Sequence, residues 1–288
     1  MLWEHRVLTS EQITSVAFPS YRSGRQRLRE LHLWGVIDRF QPFKPTGSAP
    51  MHYVLAPAGA VVLASQHGFE VKDLGYRHDR AIGIAHSLRL AHTVGVNEWF
   101  VSLIAEAQRG GAFTVDAWWS ETRCARLFGD LARPDGYGRL GRDGAHAEFF
   151  LEYDLGTEPL TKVVAKLGGY CALADSTAIS TSLLFWFPTA RREANARKQL
   201  LVVWRGLDNP DAVPIATAAA NLLELDDEPS PASAVWLPLN THSSSRSHLH
   251  EVLPTCPRST PSEADLPVVL PPPAPMPPPA SRPVADVR

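Results

Sequence analysis

The stretch AEFFLEYDL, residues 147–155, decides how the chain is read. Apolar and polar residues alternate with the period of two of a β-strand, so Phe149, Leu151 and Tyr153 share one face and Phe150, Glu152 and Asp154 the other. Upstream, RPDGYGRL (133–140) reads as a neighbouring strand with Asp135 near its start. Three carboxylates, Asp135, Glu152 and Asp154, are therefore expected to converge. Oxygen-only clusters of this kind suit Mg2+ or Mn2+, which hold a phosphate and activate water for in-line attack. A nuclease site of this type normally carries lysine two residues after the glutamate, where this chain has Asp154. In the helix expected over Pro159–Cys171, with Thr157 as its cap, the stripe Leu160, Val163, Val164, Leu167 and Cys171 is buried. That leaves Lys166 on the flank with Tyr170 four residues on, and turns Lys162 toward solvent. Lys166 is expected to reach back to the carboxylates, so the candidate catalytic set is Asp135, Glu152, Asp154 and Lys166.

Working outward, a helix near 97–108 precedes strands at 112–121, 134–140 and 147–155. The 159–171 helix and a last strand, TSLLFWF (181–187), follow. Helix, three antiparallel strands, helix, strand is the order of a restriction-endonuclease-like PD-(D/E)xK domain. Motifs this short are weak alone and gain force from that order. His86 and His92 lie in an apolar helical segment with no carboxylate at ligand spacing, and packing or capping is their expected role.

Toward the N-terminus, LTSEQITSVAF (8–18) predicts a short helix over about 10–17, capped by Thr9 or Ser10. A second helix follows over Tyr21–Trp34, with Leu28, Leu31 and Trp34 on one face and Arg22, Arg25, Gln26 and Arg29 opposite. Gly35 ends it. VIDRF (36–40) and MHYVL (51–55) read as a two-stranded ribbon with Lys44 near its tip. Helix, helix, ribbon is the order of a winged helix-turn-helix, whose second helix enters the major groove of double-stranded DNA while the ribbon touches backbone. Arginine suits that helix because its fork reaches guanine edges or phosphates with paired hydrogen bonds. The alternative is a solvated basic face on a helical hairpin. MLWEHR leaves little of the helix that usually opens such a module, and APAGAVVLAS (56–65) is a helix closing it.

The 288 residues are 44% hydrophobic and 20% charged with a formal net charge of -2, so DNA binding requires a local basic patch and not a global field. Cys124, Cys171 and Cys256 match no zinc spacing, which fits a reduced, cytoplasmic protein. No apolar run reaches membrane-spanning length, and MLWEHRVLTSEQ has no signal-peptide stretch. From Asn240 onward the chain is rich in Pro and Ser and is expected to be a disordered tail. PPPAPMPPP favours polyproline II, and His242, His248 and His250 are expected to be inert. The expected organisation is α+β: residues 1–75 a winged helix-turn-helix, 76–239 the nuclease-like domain and 240–288 the tail.

LTSEQI, RQRLRELHLWGVIDR, YVLAPAG, RPDG, FFLEYDLGTEPL and KLGGY, in this order, resemble the replication-relaxation family of bacterial mobile-element proteins, over about Leu8–Leu239. The resemblance implies a winged-helix domain joined to a nuclease-like domain and a role in plasmid replication and DNA relaxation. The E-x-D form at Glu152 and Asp154 is similar to the family's own pattern. A non-enzymatic DNA-binding accessory factor, with a relaxase or replication initiator as partner, is the first reading. A magnesium-dependent nuclease or nickase is the second, and a winged-helix transcription regulator the third.

Overall fold

The computed structural model describes residues 1–110, 112–177, 180–225, 230–240 and 245–257. It is a mixed α and β protein whose described residues divide into two compact units, Met1–Ser87 and Leu88–Pro257.

The first unit runs α1 (Leu2–His5), β1 (Leu8–Thr9), α2 (Ser10–Ala17), α3 (Tyr21–Leu33), β2 (Ile37–Phe40), β3 (His52–Leu55), α4 (Pro57–Gln66) and α5 (His78–Gly83). Thr9 caps α2 in a reciprocal box: its hydroxyl accepts from Gln12 N–H, and the Gln12 side chain accepts from Thr9 N–H. Ser20 caps α3. Gly35 turns the chain from α3 into β2 at φ 67°, a conformation that glycine adopts without the steric cost of a side chain. The strands form an antiparallel sheet in the order β1-β3-β2. The unit extends past the expected boundary at residue 75, because the Tyr76 hydroxyl donates to Leu55 O and His78 stands 3.4 Å from Asp38. Trp34, expected on the docking face of α3, is 59% exposed and lies under the Arg27 guanidinium. The helix ends at Leu33, so the helical periodicity that would have turned Trp34 inward stops one residue short.

The second unit runs α6 (Leu90–Gln108), β4 (Thr114–Ser120), α7 (Glu121–Phe128), β5 (Gly136–Arg142), β6 (Ala145–Tyr153), α8 (Leu160–Ala165), α9 (Leu167–Thr177), β7 (Ser182–Phe187), α10 (Ala190–Arg205), β8 (Ile215–Ala219), β9 (Leu237–Pro238), α11 (Leu249–Val252) and β10 (Cys256–Pro257). Among the described residues the strands form a seven-stranded mixed sheet in the order β4-β5-β6-β7-β8-β9, with β10 added beside β6. The β4-β5-β6 strands are antiparallel, while β6-β7-β8 are parallel. Every residue of β7 is buried, as expected of a parallel strand covered on both faces.

The alternation read from residues 147–155 sets the two faces. Phe149 packs with Trp99 and Phe100 of α6. Phe150 joins a second core with Tyr137, Val163, Val164, Leu167, Tyr170, Phe185 and Leu200.

The segment after β4, read as loop, contains α7, capped by Ser120. The single helix expected over 159–171 breaks at Lys166 into α8 and α9. The tail expected from Asn240 does not begin there: Leu249 and Leu253 are buried, Ser247 pairs with Trp236, and Arg246 meets the buried Glu193 at 2.7 Å. A charged anchor and two leucines hold this segment to the sheet despite its composition. Residues 241–244 and 258–288 of the expected tail, with His242 and PPPAPMPPP, lie outside the described residues.

Candidate functional site

Asp135 sits one residue ahead of β5, and its backbone N–H donates to Leu151 O, so strand pairing fixes it beside β6. Its carboxylate accepts from Tyr153 N–H at 2.8 Å and stands 3.3 Å from His92 Nε2 of α6. That nitrogen also lies 2.9 Å from Tyr153 O. Both partners are acceptors, so Nε2 carries the proton. Glu152, 3% exposed on β6, points into the helix-covered face. Lys166, at the break between α8 and α9, donates to Glu152 Oε2, and the Tyr170 hydroxyl of α9 donates to Oε1. The helix break places Lys166 over the strand, which is the reach the sequence called for.

Asp154 is placed otherwise. It lies just past β6 and continues the pairing with β7 through its N–H to Trp186 O. Arg192, in the first turn of α10, clamps both its oxygens in a fork and also donates to Glu158 O. Thus Asp135, Glu152 and Lys166 are brought together, while Asp154 is held by an arginine. Strand alternation gave its side correctly. It could not give the competitor, which comes from a helix 38 residues downstream.

The electrostatics follow from burial. Burial pushes the Glu152 carboxyl up to about 8, with the Asp135 charge adding to it against the pull of Lys166 and Tyr170. Burial acts on Asp135 in the same sense, but the His92 hydrogen bond and the Lys166 charge outweigh it and hold that carboxyl below its ordinary value. Lys166 loses water too, yet Glu152 and Asp135 keep it well above the usual lysine range. His92 is raised, because Asp135 more than offsets the cost of its burial. It was expected to pack or cap; it orients a carboxylate. Nothing in local spacing signals a partner 43 positions away, whereas Tyr170 was legible as the i+4 neighbour of Lys166.

These donors do not fit a resident Mg2+ or Mn2+. Both Glu152 oxygens and both Asp154 oxygens accept from cationic or hydroxyl donors, and Asp135 Oδ2 accepts from two. Among the described residues no group of three or more His, Cys, Asp or Glu side chains stands so as to hold a metal ion.

In the first unit, Arg22, Arg25, Gln26 and Arg29 of α3 are all exposed, as is Lys44 between β2 and β3. Leu28, 2% exposed, anchors the opposite side of the helix. The Arg25 guanidinium lies 5.6 Å from the Tyr21 ring centre, and Gln26 reaches Glu30 at 3.5 Å.

The replication-relaxation family model matches residues 1–183, which takes in the arginine helix, Asp135, Glu152, Asp154, Lys166 and Tyr170. The chain belongs to the replication-relaxation family. Membership gives it a role in replication and relaxation in the broad sense. No curated protein and no solved structure matches the chain. Arg192 and everything after β7 lie beyond the matched span of this replication-relaxation protein. Among its described residues no helix is long and apolar enough to cross a membrane.

Proposed function

We propose that the chain is a DNA-binding accessory factor for plasmid replication and mobilisation, working beside a relaxase or replication initiator. The observation that carries this reading is the face of α3. Four residues able to contact phosphates or base edges are exposed together on a helix whose other side is anchored by Leu28. The order α2, α3, β2, β3, with β1 completing the sheet, is that of a winged helix-turn-helix, in which α3 would be the recognition helix. On this reading Arg39 of β2, also exposed, and Lys44 are positioned to add backbone contacts from the ribbon.

Arg25→Ala combined with Arg29→Ala is expected to weaken duplex binding at least tenfold. It should also flatten the plot of log affinity against log salt by about 1.8, near 0.9 for each lost phosphate contact. Lys44→Ala should cost less, as a single contact. Fluorescence anisotropy across a salt series measures both, and unchanged binding by a folded double variant would remove the assignment.

Apart from the inserted α7 and the break between α8 and α9, the second unit follows the order expected of a restriction-endonuclease-like domain, and the meeting of Asp135, Glu152 and Lys166 supports descent from such a site. The engagement of both Glu152 oxygens by Lys166 and Tyr170, and of Asp154 by Arg192, supports the accessory reading over cleavage. Supercoiled plasmid should therefore stay intact with the full chain in Mg2+ or Mn2+. Nicking lost in Glu152→Gln would establish the nuclease instead.

A further inference from the structure

One step along the sheet from Asp135 and Glu152 lies a cavity of about 310 Å3, at the small end of ligand cavities (~300–1,000 Å3). Its base is a row of rings contributed by successive strands: Trp119 of β4, Tyr137 of β5 and Phe150 of β6, in register across the sheet. Trp119 and Tyr137 have ring centres 4.2 Å apart. Tyr170 adds a wall, with its ring 5.5 Å from Phe150 and its hydroxyl on Glu152. In the next row Arg139 and Glu148 face each other. Arg139 Nε and Nη2 lie 2.9 and 2.7 Å from Glu148 Oε1, and Nη2 is 3.4 Å from the Tyr137 hydroxyl. Both line the cavity.

We propose that this cavity binds an unstacked nucleobase, guanine in preference. These four aromatic rings line the cavity, and packing of a planar heterocycle against rings is a form of recognition that every base satisfies. The arginine and carboxylate side by side then read one edge. Guanine presents an acceptor, O6, next to two donors, N1–H and N2–H. Arg139 matches the first and Glu148 the others. Thymine offers a single donor between two acceptors and so gives the Glu148 carboxylate one hydrogen bond where guanine gives two, which weakens thymine relative to guanine. An aliphatic ligand would strip water from Arg139 and Glu148 and return no hydrogen bond. The base belongs either to a free nucleotide or to a nucleotide turned out of a DNA strand, which an enzyme or binding protein reads by the same stacking and edge contacts. The site lies wholly in the second unit, so it does not depend on α3.

The test is calorimetric titration of the full chain with dGMP and dTMP, and with single-stranded oligonucleotides of mixed sequence containing one dG or dT in its place. The dG ligand is expected to bind at least tenfold tighter than its dT counterpart. Glu148→Gln and Arg139→Gln, each checked for an unchanged melting transition, should abolish that preference. Preference in both dGMP and the oligonucleotide assigns the cavity to free nucleotides, whereas preference in the oligonucleotide alone assigns it to a strand. The wild-type comparison needs no variant, so a misfolded substitution does not rescue the idea. Equal binding of dG and dT ligands overturns it. So does a preference that survives both substitutions, or one that disappears with Arg25→Ala and Arg29→Ala, since it would then reside in the first unit.

Discussion

Glu152 is an acid placed where ionisation is costly. Its folded value of about 8 lies above the 4.5 of an unfolded glutamate, so the native state holds the proton more tightly. The stabilisation this provides is complete below pH 4.5 and is lost as pH rises toward 8. In Glu152→Gln the titration is gone. The variant should match the wild type near pH 4.5 and become relatively more stable at up to about 1 kcal/mol per pH unit through that window. Denaturant melts at pH 5 and pH 8 measure it, and parallel curves for the two proteins would show that Glu152 is not the titrating group. Arg192 poses the converse case. Removing it strands Asp154, whose side chain is 9% exposed, so Arg192→Ala should cost about 1–3 kcal/mol, recovered in part by adding Asp154→Asn.

At the scale of elements, legibility tracked how much of the decision was local. β6 and α3 were plain because alternation and amphipathicity are written within nine and thirteen residues. The cap of α2 was nearly as plain, narrowed to Thr9 or Ser10, of which the structure uses Thr9. The short helix α7 was missed because ETRCARLF buries only Cys124, too little pattern to separate a helix from a loop. The break between α8 and α9 was hidden for another reason: it answers to a neighbour. A Cβ on Gly169 would stand 2.2 Å from Leu131 O, so the first turn of α9 presses on the loop before β5. Gly169→Ala should push that turn away, cost about 1–3 kcal/mol and loosen the Lys166–Glu152 contact. A shift in the apparent pKa of Glu152, followed by carboxyl NMR, would accompany it, while an unshifted carboxyl would separate the helix break from the site. The site itself was half legible. Asp135, Glu152, Lys166 and Tyr170 could be read from spacing, but His92 and Arg192 arrive from distant helices.

The second unit depends on a segment whose composition argued against it. Arg246 meets Glu193, 1% exposed, which also accepts from the Thr217 hydroxyl beneath α10. A chain ended at Leu239 loses that arginine together with Leu249, Leu253 and β10. It should fall in stability by about 3–5 kcal/mol, the scale of breaking a buried ion pair. Calorimetry against a chain ended at Pro257 decides, since that comparison isolates residues 240–257, and equal transitions would mean that they contribute nothing. Proline and serine content pointed to disorder, while the anchoring comes from three or four side chains that composition cannot weigh.

The pairing of β10 with β6 also orders events during synthesis. Cys256 lies opposite His146, so a central strand waits for a partner made more than a hundred residues later. At about 5–20 residues per second, translating Leu88–Pro257 takes roughly 10–35 s. Met1–Ser87 has its sheet complete within its own span and can fold long before then. A nascent chain on the ribosome would thus display a finished arginine helix while the larger unit still lacks β10.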